Sequence, residues 1–164
     1  MLVFKAKSPD ETFTFGQNMA KSLLPGDVLC LSGNLGAGKT LLSQGIADGL
    51  KVADAVSSPT FTVLNVYEGV AGSGQELSIY HFDLYRLDHP AELADIGFDH
   101  YVAAGGIAII EWPEKFPEFL PEEHLWLTIE PGDCPNDRVI SLKAEGARYT
   151  ELCEELKQFA HTCY

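Results

Sequence analysis

Long apolar runs are missing from this 164-residue chain. None approaches the roughly 18 residues that cross a bilayer. The opening segment, Met1-Leu2-Val3-Phe4-Lys5-Ala6-Lys7, lacks the apolar stretch of a secretory signal. The expected address is the cytoplasm, with no membrane partner. Cations are scarce as well. The net charge is −13, and between Thr40 and Asp137 the only lysines and arginines are Lys51, Arg86 and Lys115. A protein that grips a phosphate backbone unaided needs clustered basic residues, so any contact with nucleic acid is expected to go through a partner. The four cysteines (Cys30, Cys134, Cys153 and Cys163) form no C-x-x-C pair and have no histidine at a zinc-ligand spacing. They are read as free thiols, with Cys30 a small core residue.

What is present suffices for one folded domain spanning 1–164: 46% of the residues are hydrophobic, and a chain of this size buries about two-thirds of its unfolded surface. Leu2 to Lys7 alternates as a strand. Ser8-Pro9-Asp10-Glu11 reads as a helix start, with Ser8 as cap, Pro9 in the first turn and Glu11 closing a capping box. Phe13, Gly16, Ala20 and Leu23 are expected on one face of that helix, which Pro25-Gly26-Asp27 ends. Val28 to Leu31 is a continuous apolar run, as in a strand covered on both faces. A helix is expected from about Lys39 to Leu50. Thr62–Tyr67 and Leu77–Asp83 read as a hairpin joined by the flexible Gly69–Gly74 turn. A further helix starts at His89-Pro90-Ala91-Glu92 and ends at Gly97. Strands follow at Ile107–Ile110, Leu125–Ile129 and Val139–Lys143. A last helix carries the stripe Tyr149, Leu152, Leu156 and Phe159. Hairpins mixed with crossovers predict an α/β, P-loop NTPase-like three-layer fold, with a mixed parallel and antiparallel sheet and helices on both faces.

The residues with the clearest chemistry are Gly33-x-x-x-x-Gly38-Lys39-Thr40, a full phosphate-loop pattern set between an apolar strand and a helix. Glycines let successive backbone N–H groups curl inward toward phosphate oxygens, and the helix starting at Lys39 adds its positive dipole end. Lys39 supplies a mobile cation, and the Thr40 hydroxyl is a hard oxygen ligand for magnesium. Such a site also needs a carboxylate at a strand end to organise metal and water. Two positions fit: Glu111 after the apolar Ile107–Ile110, and Asp83 closing Leu77–Asp83. Either is also what a capping carboxylate looks like where a strand leaves the sheet. Ser58-Pro59-Thr60 follows the loop's helix. Thr60 sits where nucleotide switches sense magnesium or the terminal phosphate, although a turn bounded by proline reads the same way. Trp112 either packs on a nucleotide or covers the sheet end. Arg86 and Arg138 are either phosphate contacts or surface ion-pair partners. The guanine-reading Asn-Lys-x-Asp, the transporter Leu-Ser-Gly-Gly-Gln and an arginine-rich lid are all missing, which favours ATP over GTP.

Four segments in order resemble the TsaE (YjeE) family of tRNA threonylcarbamoyladenosine biosynthesis proteins: Gly36–Thr40, Ser58-Pro59-Thr60-Phe61-Thr62, His81-Phe82-Asp83-Leu84-Tyr85-Arg86-Leu87 and Ile110-Glu111-Trp112-Pro113. The resemblance spans roughly residues 8 to 145. It implies a small ATPase of low intrinsic activity that uses ATP and Mg, acts with the TsaB–TsaD complex and meets tRNA only through that complex. It further implies that Leu35, Gly36, Ala37, Gly38, Lys39 and Thr40 bind phosphates, that Thr40 and Glu111 bind magnesium, that Asp83 is needed for hydrolysis, and that Thr12 approaches the adenine. Lys39, Asp83 and Glu111 make up the expected catalytic set. Thr60, Trp112 and Arg138 complete the expected nucleotide contacts. A nucleotide-dependent binding module and a small-molecule phosphotransferase stand as alternatives.

Overall fold

The computed structural model describes residues 1–34 and 36–159, together with the backbone of 162–163. In chain order the elements are β1 Leu2–Ala6, α1 Pro9–Ala20, β2 Val28–Ser32, α2 Lys39–Gly49, β3 Leu64–Val70, β4 Glu76–Asp83, α3 Ala91–Asp95, α4 Phe98–Val102, β5 Ile107–Glu111, β6 His124–Pro131, β7 Arg138–Glu145, α5 Ala147–Leu156 and β8 Thr162–Cys163. The strands form one sheet in the order β3-β4-β5-β2-β6-β7-β1-β8. Its middle is parallel (β4 with β5, β5 with β2, β2 with β6). Both flanks are antiparallel.

Side chains of successive strand residues point to opposite faces, and the core divides accordingly. Leu29 and Leu31 of β2 join a cluster with Phe15 and Met19 of α1, Leu42 and Ile46 of α2, and Leu152 and Leu156 of α5. Val28 and Cys30 join a second cluster with Leu93, Phe98 and Phe116. The mixed sheet with helices on both faces is the architecture the sequence led us to expect. Among the described residues, no helix is long and apolar enough to cross a membrane.

Local chemistry sets the boundaries, and several differ from the expectations. Ser8 caps α1 by accepting from the Glu11 N–H at 3.2 Å, and Glu11 in turn accepts from the Lys7 N–H at 2.6 Å. α1 stops at Ala20, not at Pro25, and Leu23 is buried beyond its end. Its buried face is Thr12, Phe15, Gly16, Met19 and Ala20, whereas Phe13 is only partly covered. The strand expected from Thr62 begins at Leu64, because Val63 adopts a left-handed φ of 67°. Gly69 and Val70 pair with Leu77 and Glu76, so the hairpin turn is shorter than expected and runs between Ala71 and Gln75. The helix expected between His89 and Gly97 is α3, and Gly97 ends it as expected; at φ 73° the same glycine also caps a second helix, α4, which the sequence did not announce. Phe159 follows α5 in a 3-10 turn and packs on the first cluster.

Candidate functional site

The carboxyl ends of β2, β4 and β5 lie side by side. In β4 and β5, Asp83 stands opposite Glu111, and Leu31 of β2 stands opposite Glu111 on its other side. The loop leaving β2 is forced into a tight path. A Cβ on Gly33 would fall 2.8 Å from the Ile129 carbonyl oxygen of β6, so only glycine lets the loop pass so close. Gly38 takes φ 110° and serves as N-cap of α2 with no side chain to cover the first amides, which leaves that helix end open to an anion.

A cleft of about 470 Å³ opens at this point, lined by Gly36, Gly38, Lys39, Thr40, Ser58, Thr60, Asp83, Glu111 and Trp112 among others. The Lys39 ammonium donates to the Gly33 carbonyl at 2.6 Å and lies 3.6 Å from the Trp112 ring centroid. Burial pushes Lys39 below the usual lysine value, against the opposing pull of Glu111, Glu114 and Asp83. Trp112 is held over it by a left-handed backbone, φ 59°, and by Tyr85, whose ring centroid is 4.9 Å away.

Asp83 is buried and fully engaged. Its Oδ2 accepts from the Ser58 hydroxyl at 2.9 Å and from Thr60 at 3.3 Å, while Oδ1 accepts from the Tyr85 N–H at 3.0 Å. Its own N–H donates to the Val63 carbonyl at 2.8 Å. The Ser58–Val63 segment is thus tied to Asp83 by side chain and backbone together. Glu111 is equally buried, and its Oε2 accepts from His81 Nε2 at 2.6 Å. Its other oxygen, Oε1, carries no hydrogen bond among the described residues.

The Thr40 hydroxyl and the Asp83 and Glu111 carboxylates line the same cleft. All are hard oxygen donors, the set that suits magnesium. They cannot enclose an ion by themselves, which fits a metal that keeps several waters and shares phosphate oxygens. The donor chemistry therefore fits Mg, and the open helix end with Lys39 fits a polyphosphate.

Most of the residues singled out from sequence meet here: Gly36, Gly38, Lys39, Thr40, Thr60, Asp83, Glu111 and Trp112. Ala37 is buried within the loop. Leu35 lies outside the described residues. Thr12 is buried in the first turn of α1 and does not line the cleft, because that face of the helix turns into the core. Arg138 does not point into the cleft either. From β7 its Nε donates to the Ala37 carbonyl at 2.8 Å, Nη2 reaches the Gly36 carbonyl at 3.5 Å, and Nη1 donates to the Pro135 and Asp137 carbonyls, each at 2.8 Å. It grips the loop by its backbone oxygens. Arg86 lies 4.3 Å from the ring of the exposed Phe61. The sequence reading gave His81 no role of its own. The available signal was its place two residues before Asp83, which puts both side chains on one face of β4.

Fold and loop together define a P-loop α/β protein. The family model described as threonylcarbamoyl adenosine biosynthesis protein TsaE matches residues 6–140. The tRNA threonylcarbamoyladenosine biosynthesis protein TsaE of Bacillus subtilis is 40% identical over 159 residues, covering 96% of this chain and 94% of its own. The protein of the same name from Haemophilus influenzae is 40% identical over 129 residues, 74% of this chain and 78% of its own. The crystal structure of Bacillus subtilis YdiB superposes with a TM-score of 0.79 at 37% identity, covering 96% of this chain and 94% of that one. The chain belongs to the TsaE family, whose description places it in threonylcarbamoyladenosine biosynthesis.

Proposed function

We propose that this protein is a magnesium-dependent ATPase of slow intrinsic turnover that serves the threonylcarbamoyladenosine modification of tRNA in the cytoplasm, working with the TsaB–TsaD complex. The observation that carries this reading is the convergence of an open helix N-terminus, Lys39, Thr40, Asp83 and Glu111 on one cleft.

Each residue has a task there. Backbone N–H groups of Gly36 to Thr40 bind phosphate oxygens, and Lys39 exchanges its contact with the Gly33 carbonyl for the outer phosphates. Thr40 and Glu111 hold magnesium, which when bound neutralises charge on the phosphate oxygens. Asp83, fixed by three hydrogen bonds, orients an attacking water and accepts its proton. Trp112 and Tyr85 roof the lysine and exclude water from it. Ser58 and Thr60 sit on the Asp83 carboxylate, so a change in their loop reaches the catalytic carboxylate directly. That link supports control by a partner docked over the loop. The net charge of −13 agrees with partners, rather than this chain, holding the tRNA.

The test is ATP hydrolysis by the protein alone and with purified TsaB–TsaD, with magnesium and with chelator. We expect a slow magnesium-dependent rate that rises with the complex, and a loss of about 100-fold or more in Lys39→Ala and Glu111→Ala. Wild-type rates in both variants would refute the site. A rate indifferent to the complex would refute the partnership.

A further inference from the structure

His81 forms a buried pair with Glu111, and the roles assigned above give this histidine no part. Their side chains are 1% and 2% exposed, and Nε2 lies 2.6 Å from Oε2. The register explains how they meet. His81 stands opposite Ile109 in the parallel β4–β5 pair, and Glu111 is two residues further along the same face. The ring reaches diagonally across the ladder to the carboxylate. Its other nitrogen, Nδ1, is buried without a hydrogen-bond partner among the described residues.

That asymmetry is informative. Most buried side-chain polar atoms are hydrogen-bonded, and an unpaired one costs about 1–3 kcal/mol. Here one nitrogen is sacrificed and the other spent on a single carboxylate oxygen. An apolar pair fills such a space at no greater cost. Facing a carboxylate at 2.6 Å, Nε2 is the nitrogen that carries a proton and donates to Oε2, since a bare Nε2 would set lone pair against lone pair. This bond fixes the carboxylate's rotation and leaves Oε1, with no partner among the described residues, as its other oxygen.

Resting on the magnesium–ATP reading of this cleft, we infer that His81 is a positioning residue that holds Glu111 in one orientation, so that Oε1 is the oxygen offered to magnesium. The metal would then meet a preset monodentate ligand rather than a carboxylate free to rotate. Partners at one remove from a metal commonly govern its affinity by 10–100-fold.

The test exploits the two nitrogens separately. A glutamine amide nitrogen falls close to the Nε2 position, whereas that of asparagine falls close to Nδ1. The affinity of a non-hydrolysable ATP analogue is measured by calorimetry on the full chain across a magnesium titration, and again in chelator. Wild type is compared with His81→Gln, His81→Asn and His81→Leu. We expect the half-saturating magnesium concentration to rise about tenfold or more in His81→Asn and His81→Leu. We expect it to stay within about threefold of wild type in His81→Gln, a band well below that tenfold rise. Nucleotide affinity in chelator should be the same in all four, which separates lost positioning from a damaged fold. If His81→Leu does not fold, the Asn–Gln comparison decides alone. Wild-type magnesium dependence in His81→Asn, or equal loss in Asn and Gln, overturns the positioning role and leaves the site reading intact. Nucleotide binding by wild type that ignores magnesium overturns both.

Discussion

Arg138 is a cation whose hydrogen bonds among the described residues all go to backbone carbonyls, two of them in the phosphate loop. A loop whose carbonyls are held from behind keeps its N–H groups facing forward. Arg138→Ala should therefore weaken ATP–magnesium affinity about tenfold, the worth of one hydrogen bond to a charged group. Arg138→Lys should recover little, since an ammonium cannot span the fork. Calorimetry on the two variants checks this, and undiminished affinity in Arg138→Ala would mean the loop holds its own shape. Arg138 also marks where residue-level reading stops. Lys39, Thr40, Asp83 and Glu111 were legible because their chemistry follows from neighbours in the sequence. Arg138 acts on residues about a hundred positions away, and His81 acts through cross-strand register. Neither relation is written in local spacing.

Among elements, α1 and α2 pack with little room between their backbones. A Cβ on Gly16 would lie 2.7 Å from the Leu42 carbonyl oxygen, one on Gly49 would lie 2.6 Å from the Ala20 methyl, and one on Gly45 would run into the Phe13 carbonyl. The helices touch backbone to backbone at these points. Gly45→Ala should destabilise the protein by about 1–3 kcal/mol by forcing them apart, read as a lower midpoint in urea unfolding. An unchanged midpoint would show that α2 has room to shift. Because α2 presents the phosphate loop, its seat on α1 also sets the loop's height above the sheet. The existence of α1 was legible from its cap and periodicity, and that of α2 from the glycine-rich loop before it. The end of α1 at Ala20 and the second helix after Gly97 were not, because tertiary packing rather than local signals decided both. Likewise nothing local announced that Val63 would take a left-handed backbone, which a β-branched residue adopts only under constraint.

Over the whole molecule, the two ends of β2 serve different purposes. Its carboxyl end feeds the cleft, and its amino end is fastened to α5. Arg148 donates to both oxygens of the buried Asp27 at 3.0 and 2.8 Å, and the Tyr149 hydroxyl accepts from the Val28 N–H at 2.8 Å. The C-terminal helix, which carried no functional sign in the sequence, thus anchors the central strand. Burial pushes the Tyr149 phenol from 10.0 up to about 12. Its folded value exceeds its unfolded one, so its stabilising share is whole below pH 10 and is lost as pH rises toward 12. Unfolding free energy should fall by about 2 kcal/mol across that range. The fall should be smaller by that amount in Tyr149→Phe, which isolates the phenol from Cys30, a thiol pushed the same way. Equal slopes in the two proteins would refute it. The strand order was the least legible feature. β1, first in the chain, pairs with β7 near its end, and only the closed core decides such a match.

Of the chain's two tryptophans, one rests on Lys39, the lysine that in the proposed function moves to the phosphates. The other lies on β6, beside His124. Indole emission responds to a charge held against the ring, so the position of Lys39 is written into the protein's own fluorescence. The molecule carries an optical gauge of whether its cleft is filled, with no label attached.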